Sequence, residues 1–217
     1  MKKLLRLSML VLGIGLLMGL YSCDPKNKTH EAAVTDTEIT ANGSVKVDYA
    51  ISADREYMFV NHQTDYRWYE TNIVLSAYLD AADQSGAVAS VTNVFQVVTP
   101  EDSGGADTFV VQITHTPTEV QIDEQHGFWI EDYPLNEQGI KLTFQQAYDK
   151  LMSANYPKPH SRHCVLRKQV GPVDANPQYI FGNSRAQVYV DAVTGNVSNT
   201  NPAFGDYGLA KPLGEWP

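Results

Sequence analysis

From Ser44 to about Glu131 the apolar positions recur every second residue. Val45, Val47, Tyr49 and Ile51 alternate with Ser44, Lys46, Asp48 and Ala50. Tyr69, Thr71, Ile73, Leu75, Ala77 and Leu79 line one side of a longer run, and Phe109, Val111, Ile113 and His115 repeat the pattern. Such alternation turns one set of side chains to a core and the other to water, so it predicts strands. Turn-forming residues separate the runs at 80–86 (DAADQSG), 100–107 (PEDSGGAD) and 114–119 (THTPTE). Several strands at hairpin spacing predict an antiparallel β domain over 44–131, an immunoglobulin-like sandwich, with a single curved sheet as the rival arrangement.

After Asp132 the period changes. Phe144, Ala147, Tyr148, Leu151 and Met152 form one stripe of an amphipathic helix, with Thr143 as N-cap and Gln146 completing a capping box. Pro157 and Pro159 stop the helix. Strand-like runs follow at 163–170, 178–182 and 185–192, with a short NVS at 196–198. A helix followed by strands predicts an α+β unit with the helix on one sheet face. No internal repeat at a fixed period is visible.

The final hairpin contains VYVDAVTGNV, residues 188–197. Gly195 suits the positive φ of a short loop, and Asp191 at the strand end can accept hydrogen bonds from turn N–H groups. A nucleophilic aspartate would need a second carboxylate or a lysine beside it, and Ala192 and Val193 stand there instead. The reading is therefore a turn.

The stretches LTFQQAYDKLMSANYP, CVLRKQVGP, PQYIFG and VYVDAVTGNV together resemble a PepSY-like domain. The matching positions are Ala147 and Leu151 on the helix, then Asp191, Thr194, Gly195 and Val197 at the hairpin. The resemblance covers about residues 140 to 199. It implies one helix packed on an antiparallel sheet, a fold similar to a β-lactamase inhibitor protein, and a non-catalytic binding or inhibitory role. The YPKPHSRHC insert and the N-terminal β domain depart from that pattern, and no binding residue carries over from it.

The chain opens with Lys2, Lys3 and Arg6, then an apolar stretch of fourteen residues from Leu7 to Leu20. That is shorter than the roughly twenty residues a membrane-spanning helix needs, and it matches a secretory h-region. Leu20-Tyr21-Ser22-Cys23 resembles a bacterial lipobox, which implies cleavage before Cys23 and lipidation of its thiol. The expected layout is a lipoprotein signal peptide at 1–22, a polar tether at 23–43, the β domain at 44–131, the PepSY-like domain at 132–199 and a tail at 200–217. The expected address is the cell envelope, lipid-anchored on its periplasmic face or outer surface. Removing residues 1–22 takes away three positive charges and no negative ones, so −9 becomes −12. No basic run remains to contact phosphates, which argues against nucleic-acid binding. With Cys23 consumed, Cys164 has no disulfide partner, and is either a buried thiol or a reactive one.

The expected partners are thus the membrane, through the lipid, and a protein or glycan. No cofactor is expected. His160, His163 and Cys164 are candidate zinc ligands by proximity. If a strand begins at His163, however, His163 and Cys164 point to opposite faces. Trp68, Trp129 and Trp216 are candidate platforms for a sugar ring. The plainer and preferred reading makes Tyr69 and Phe128 core residues and the other aromatics cover for the seam between domains. The adjacent acids Glu101-Asp102 and Glu131-Asp132 read as solvated turn residues.

Overall fold

The computed structural model describes residues 40–41, 43–63, 65–82, 84–100 and 106–205. In chain order these form β1 (Thr40–Ala41), β2 (Ser44–Val45), α1 (Val47–His62), β3 (Tyr66–Leu75), β4 (Val88–Pro100), β5 (Ala106–His115) and β6 (Val120–His126). There follow β7 (Asp132–Tyr133), a 3-10 turn at Glu137–Gly139, α2 (Phe144–Ser153), β8 (His163–Gln169), β9 (Gln178–Asn183), β10 (Ala186–Asp191) and β11 (Val197–Ser198). The protein is a mixed α+β fold, mostly antiparallel sheet with two helices. No helix among the described residues is long and apolar enough to cross a membrane.

The second helix forms as its stripe predicts. Phe144, Ala147, Tyr148 and Leu151 are buried, and the Thr143–Gln146 capping box is made in both directions. The first helix overturns an expectation. Residues 47–51 form the opening of α1, whose buried positions are Val47, Ala50, Ile51, Asp54 and Met58. Val47 and Ile51 satisfy both a two-residue and a four-residue spacing, so the short alternation there is ambiguous. The helical stripe is disguised because one of its members is an aspartate.

Strands β3 to β6 and β8 to β11 lie in one sheet of order β11-β10-β9-β8-β3-β4-β5-β6, and β7 pairs with the end of β8. The two-sheet sandwich expected for 44–131 is therefore not formed among the described residues. The layer facing β3–β5 is a helix, because α1 supplies the apolar stripe that a second sheet would otherwise provide. The sheet runs unbroken across position 131/132, since β3 pairs with β8 from Glu70↔Arg167 to Val74↔His163.

This order also contains a repeat that has no fixed period in sequence. A helix followed by four antiparallel strands occurs twice, as α1-β3-β4-β5-β6 and as α2-β8-β9-β10-β11. The first strand of each unit pairs antiparallel with the other at the middle of the sheet. The long strands of the first unit and the short ones of the second hide the relation.

Both helices cover the same face. Their buried residues join Trp68, Ile73, Val91, Phe95, Val111, Ile113, Cys164, Leu166, Tyr179, Phe181, Val188 and Val190 in one core. Phe144 packs at a tilt and Tyr148 edge-on against Phe181, and Phe144 also meets Tyr179. Asp48 of α1 accepts a hydrogen bond from the Phe144 N–H at 3.3 Å, which ties the start of one helix to the start of the other. The opposite face carries Glu70, Thr92, Val94, Gln96, Gln112, Thr114, Arg167, Gln178 and Tyr189, as the strand registers require.

Candidate functional site

Two polar groups stand out, one on each side of the sheet. Beneath α1 lies a chain of buried hydrogen bonds converging on Asp54. Trp68 Nε1 donates to Thr71 Oγ1 (3.2 Å), Thr71 Oγ1 to Asn93 Oδ1 (2.5 Å), and Asn93 Nδ2 to Asp54 Oδ2 (2.6 Å). From the other side His115 Nε2 donates to Asp54 Oδ1 at 2.7 Å. Asp54 is 3% exposed. Burial raises its pKa, while the bonds from His115 and Asn93 oppose that rise. Every donor in the chain points toward this carboxylate, so the network fixes α1 on the sheet. His115 Nδ1 has no hydrogen-bond partner. Asp54 and His115 are both buried, and the group reads as architecture.

The second group sits on the opposite, open face, where β3, β8 and β9 meet. Glu70, Arg167 and Gln178 form a row across three strands. Over this row passes a strap, residues 127–135, that carries the chain from edge strand β6 back toward α2. Trp129 N–H donates to Gln96 Oε1 (3.2 Å), Asp132 and Tyr133 pair with Gln169 and Lys168, and Leu135 N–H donates to the Trp68 carbonyl (2.7 Å). The strap turns Asp132 inward, 5% exposed, and Phe128 outward, 72% exposed. Arg167 stands 3.7 Å from both Glu70 and Asp132. Burial first, and the Asp132 charge second, push Glu70 up to about 7.

Three expectations are corrected here. Asp132 is not a solvated turn residue, because the strap folds it onto the sheet; its neighbour Glu131 is exposed as expected. Phe128 is not core. Trp68, rather than Tyr69, enters the core at 4% exposure, because a register shift between Trp68 and Glu70 leaves Tyr69 in a bulge. Trp68 is thus inaccessible to a sugar, and Trp129, part of the strap, is half-buried.

The remaining sequence candidates are dispersed. Strand β8 begins at His163, which is exposed, while Cys164 is buried in the core opposite Phe181 and its thiol is pushed well up by burial. His160 is exposed, stacked on Tyr78 and 2.9 Å from Asp80. The fold therefore does not bring His160, His163 and Cys164 together, and no group of three metal-ligating side chains occurs among the described residues. Cys23, Glu101, Asp102 and Trp216 lie outside the described residues.

Asp191 behaves as a turn residue. Its Oδ1 accepts from the Val193 and Thr194 N–H groups at 2.9 and 2.8 Å, and Oδ2 from Asn176 Nδ2 at 3.0 Å. Burial alone would raise its pKa, but these bonds outweigh it and hold the carboxyl below its ordinary value. Gly195 adopts φ +76° in the same turn. An open cleft of about 180 Å³ between α1 and residues 137–143 contains Asp48, Ser52 and Lys141. The Asp48 carboxyl there is already engaged by the Phe144 N–H.

The larger feature is a surface. On the β4–β6 half of the open face, Thr92, Gln112, Thr114, Gln121, Asp123 and Gln125 face outward by register, with no described element packed over them. Thr92 and Thr114 hydrogen-bond across the strands at 2.9 Å, which stiffens this platform.

Such a fold defines an α+β protein with one helix-covered face and one largely open sheet face. No family model, curated protein or solved structure matches the chain.

Proposed function

We propose that this chain is a lipid-anchored cell-envelope protein without catalytic activity. It binds another macromolecule through its open sheet face, and inhibits a secreted hydrolase by covering its surface. The observation that carries the reading is the asymmetry of the sheet. Both helices pack on one side, while the polar β4–β6 surface on the other side lies uncovered among the described residues. A rigid, hydrogen-bonded, mildly polar platform suits a non-obligate interface, which is about as apolar as the rest of a protein surface. The helix-then-hairpins order of residues 144–198 supports the PepSY-like reading of the C-terminal unit. The basic and apolar N-terminus ending in Cys23 supports the envelope address.

Two measurements test this. Replacing Cys23 with Ser should abolish incorporation of labelled fatty acid and move the protein from the membrane to the soluble fraction; unchanged membrane retention would refute the anchor. For the surface, the triple change Thr92→Lys, Gln112→Lys and Thr114→Lys should lower retention of a secreted hydrolase by at least about tenfold. That corresponds to about 1.4 kcal/mol. A helix-side control, Glu56→Lys, should leave retention unchanged. Equal loss in both variants would remove the open face from consideration. Retention of glycans alone, abolished by changing the exposed Phe128 and Tyr133, would support the carbohydrate reading instead.

A further inference from the structure

The polar group under the strap contains an unbalanced set of charges and bonding atoms. Glu70 and Asp132 are both buried, at 6% and 5% exposure, and their carboxyls face each other within hydrogen-bonding range. Neither Asp132 oxygen has a hydrogen-bond partner. Arg167 is the cation between the two acids, but its Nη1–Glu70 and Nε–Asp132 distances of 3.7 Å are too long for hydrogen bonds. Glu70 Oε1 already accepts from Asn72 Nδ2 at 2.5 Å, leaving Oε2 toward Arg167. Trp129 Nε1, Arg167 Nε, Gln169 Oε1 and Gln178 Oε1 are also buried without partners. Six of the seven such atoms among the described residues therefore gather at this one place.

Two acceptor-only carboxylates in contact, with one guanidinium held off at a distance and the Trp129 indole directed at Asp132, still lack a donor between them and carry one negative charge too many. A single proton supplies both. We propose that Glu70 and Asp132 share one proton, and that this proton latches the 127–135 strap onto the open face of the sheet. Protonated Glu70 donates from Oε2 to ionised Asp132, which also faces the Arg167 guanidinium. When the proton leaves to solvent, two buried anions confront each other and the strap loses its inward anchor.

The other groups facing the pair do not substitute for that proton. From β8, Lys168 is engaged with Asp174 at 2.8 Å and lies over the Tyr133 ring; from β9, Gln178 is neutral. From β10, the Tyr189 hydroxyl donates to Gln187 at 2.6 Å. On the strap itself, the Trp129 indole favours ionised Asp132 but is neutral, and Glu131 is exposed and adds only negative charge. The rise of Glu70 to about 7 places the release of the latch near neutrality. The strap covers Val94 and Gln96 at the border of the uncovered β4–β6 surface, so its release would enlarge that surface whatever the surface binds.

The test uses the full chain. Carboxyl-carbon NMR should show Glu70 titrating near neutrality, well above an ordinary glutamate. Amide exchange at Asp132 and Tyr133, corrected for intrinsic rates, should accelerate several-fold between about pH 6 and pH 8 while protection in β9 stays constant. Glu70→Gln, whose amide can donate to Asp132 without titrating, should flatten that acceleration. A Glu70 carboxyl titrating in the ordinary range would overturn the proposal, as would unchanged pH dependence in Glu70→Gln. If that variant does not fold, the titration of Glu70 in the unaltered protein decides alone.

Discussion

Three carboxylates in this chain meet different fates, and the difference is set by what donates to them. Asp191 collects two turn N–H groups and an asparagine amide, so its pKa is held down. A depressed folded pKa means stability that is present above the unfolded value and lost as pH falls through the folded one. Asp191→Ala should cost about 1 kcal/mol in urea unfolding at neutral pH, with Asp191→Asn milder because one acceptor oxygen remains. Asp54 is buried and depends on His115 and Asn93. Removing one partner by His115→Ala should cost about 3 kcal/mol, because it leaves the buried carboxyl short of a hydrogen-bond partner and opens a cavity beside it. Glu70 carries the opposite sign to Asp191. Its folded pKa is raised from 4.5 to about 7, so its contribution is full below pH 4.5 and fades as pH rises toward 7. Stability measured across that window should fall in the unaltered protein and lose that slope in Glu70→Gln.

At the scale of elements, the two helices show how far patterning reaches. Helix α2 has an unbroken apolar stripe and a local capping box, both readable within a few residues. Thr143→Ala should destabilise the protein by about 1 kcal/mol. Helix α1 has no side-chain cap at Lys46, and its stripe passes through Asp54. Its stability comes from tertiary contacts, so Met58→Ala should cost about 2–5 kcal/mol, as expected of a fully buried methionine. A smaller cost, within that of a surface change, would mean that α1 does not seat on the sheet as described. The bulge at Tyr69 is of the same kind. Strand alternation before and after it is plain, but the one-residue slip that exchanges Tyr69 for Trp68 in the core depends on the pairing with β4.

For the whole molecule, the central fact is that β3 and β8 are neighbours in one sheet. Each belongs to a different helix-plus-four-strand unit, and separating the units would expose a long edge on both. Denaturant unfolding of the intact protein should therefore appear as one cooperative transition, with tryptophan fluorescence and far-ultraviolet circular dichroism coinciding. Two resolved transitions would show that the halves fold independently. The shared sheet also places both helices on one side and leaves the β4–β6 surface uncovered among the described residues, with the strap at its border.

The sequence alone determined what depends on neighbours along the chain: strand alternation, the capped second helix, the Asp191–Gly195 turn, and the separation of His163 from Cys164 by strand alternation. These are short-range effects of backbone geometry and local hydrogen bonding. Only the tertiary structure decided that residues 47–62 are helical, that Trp68 enters the core and that Asp132 is buried beside Glu70. Each of these outcomes rests on partners far along the chain. Asp54 meets His115, Glu70 meets Asp132, and β3 meets β8, and no local pattern encodes those distances.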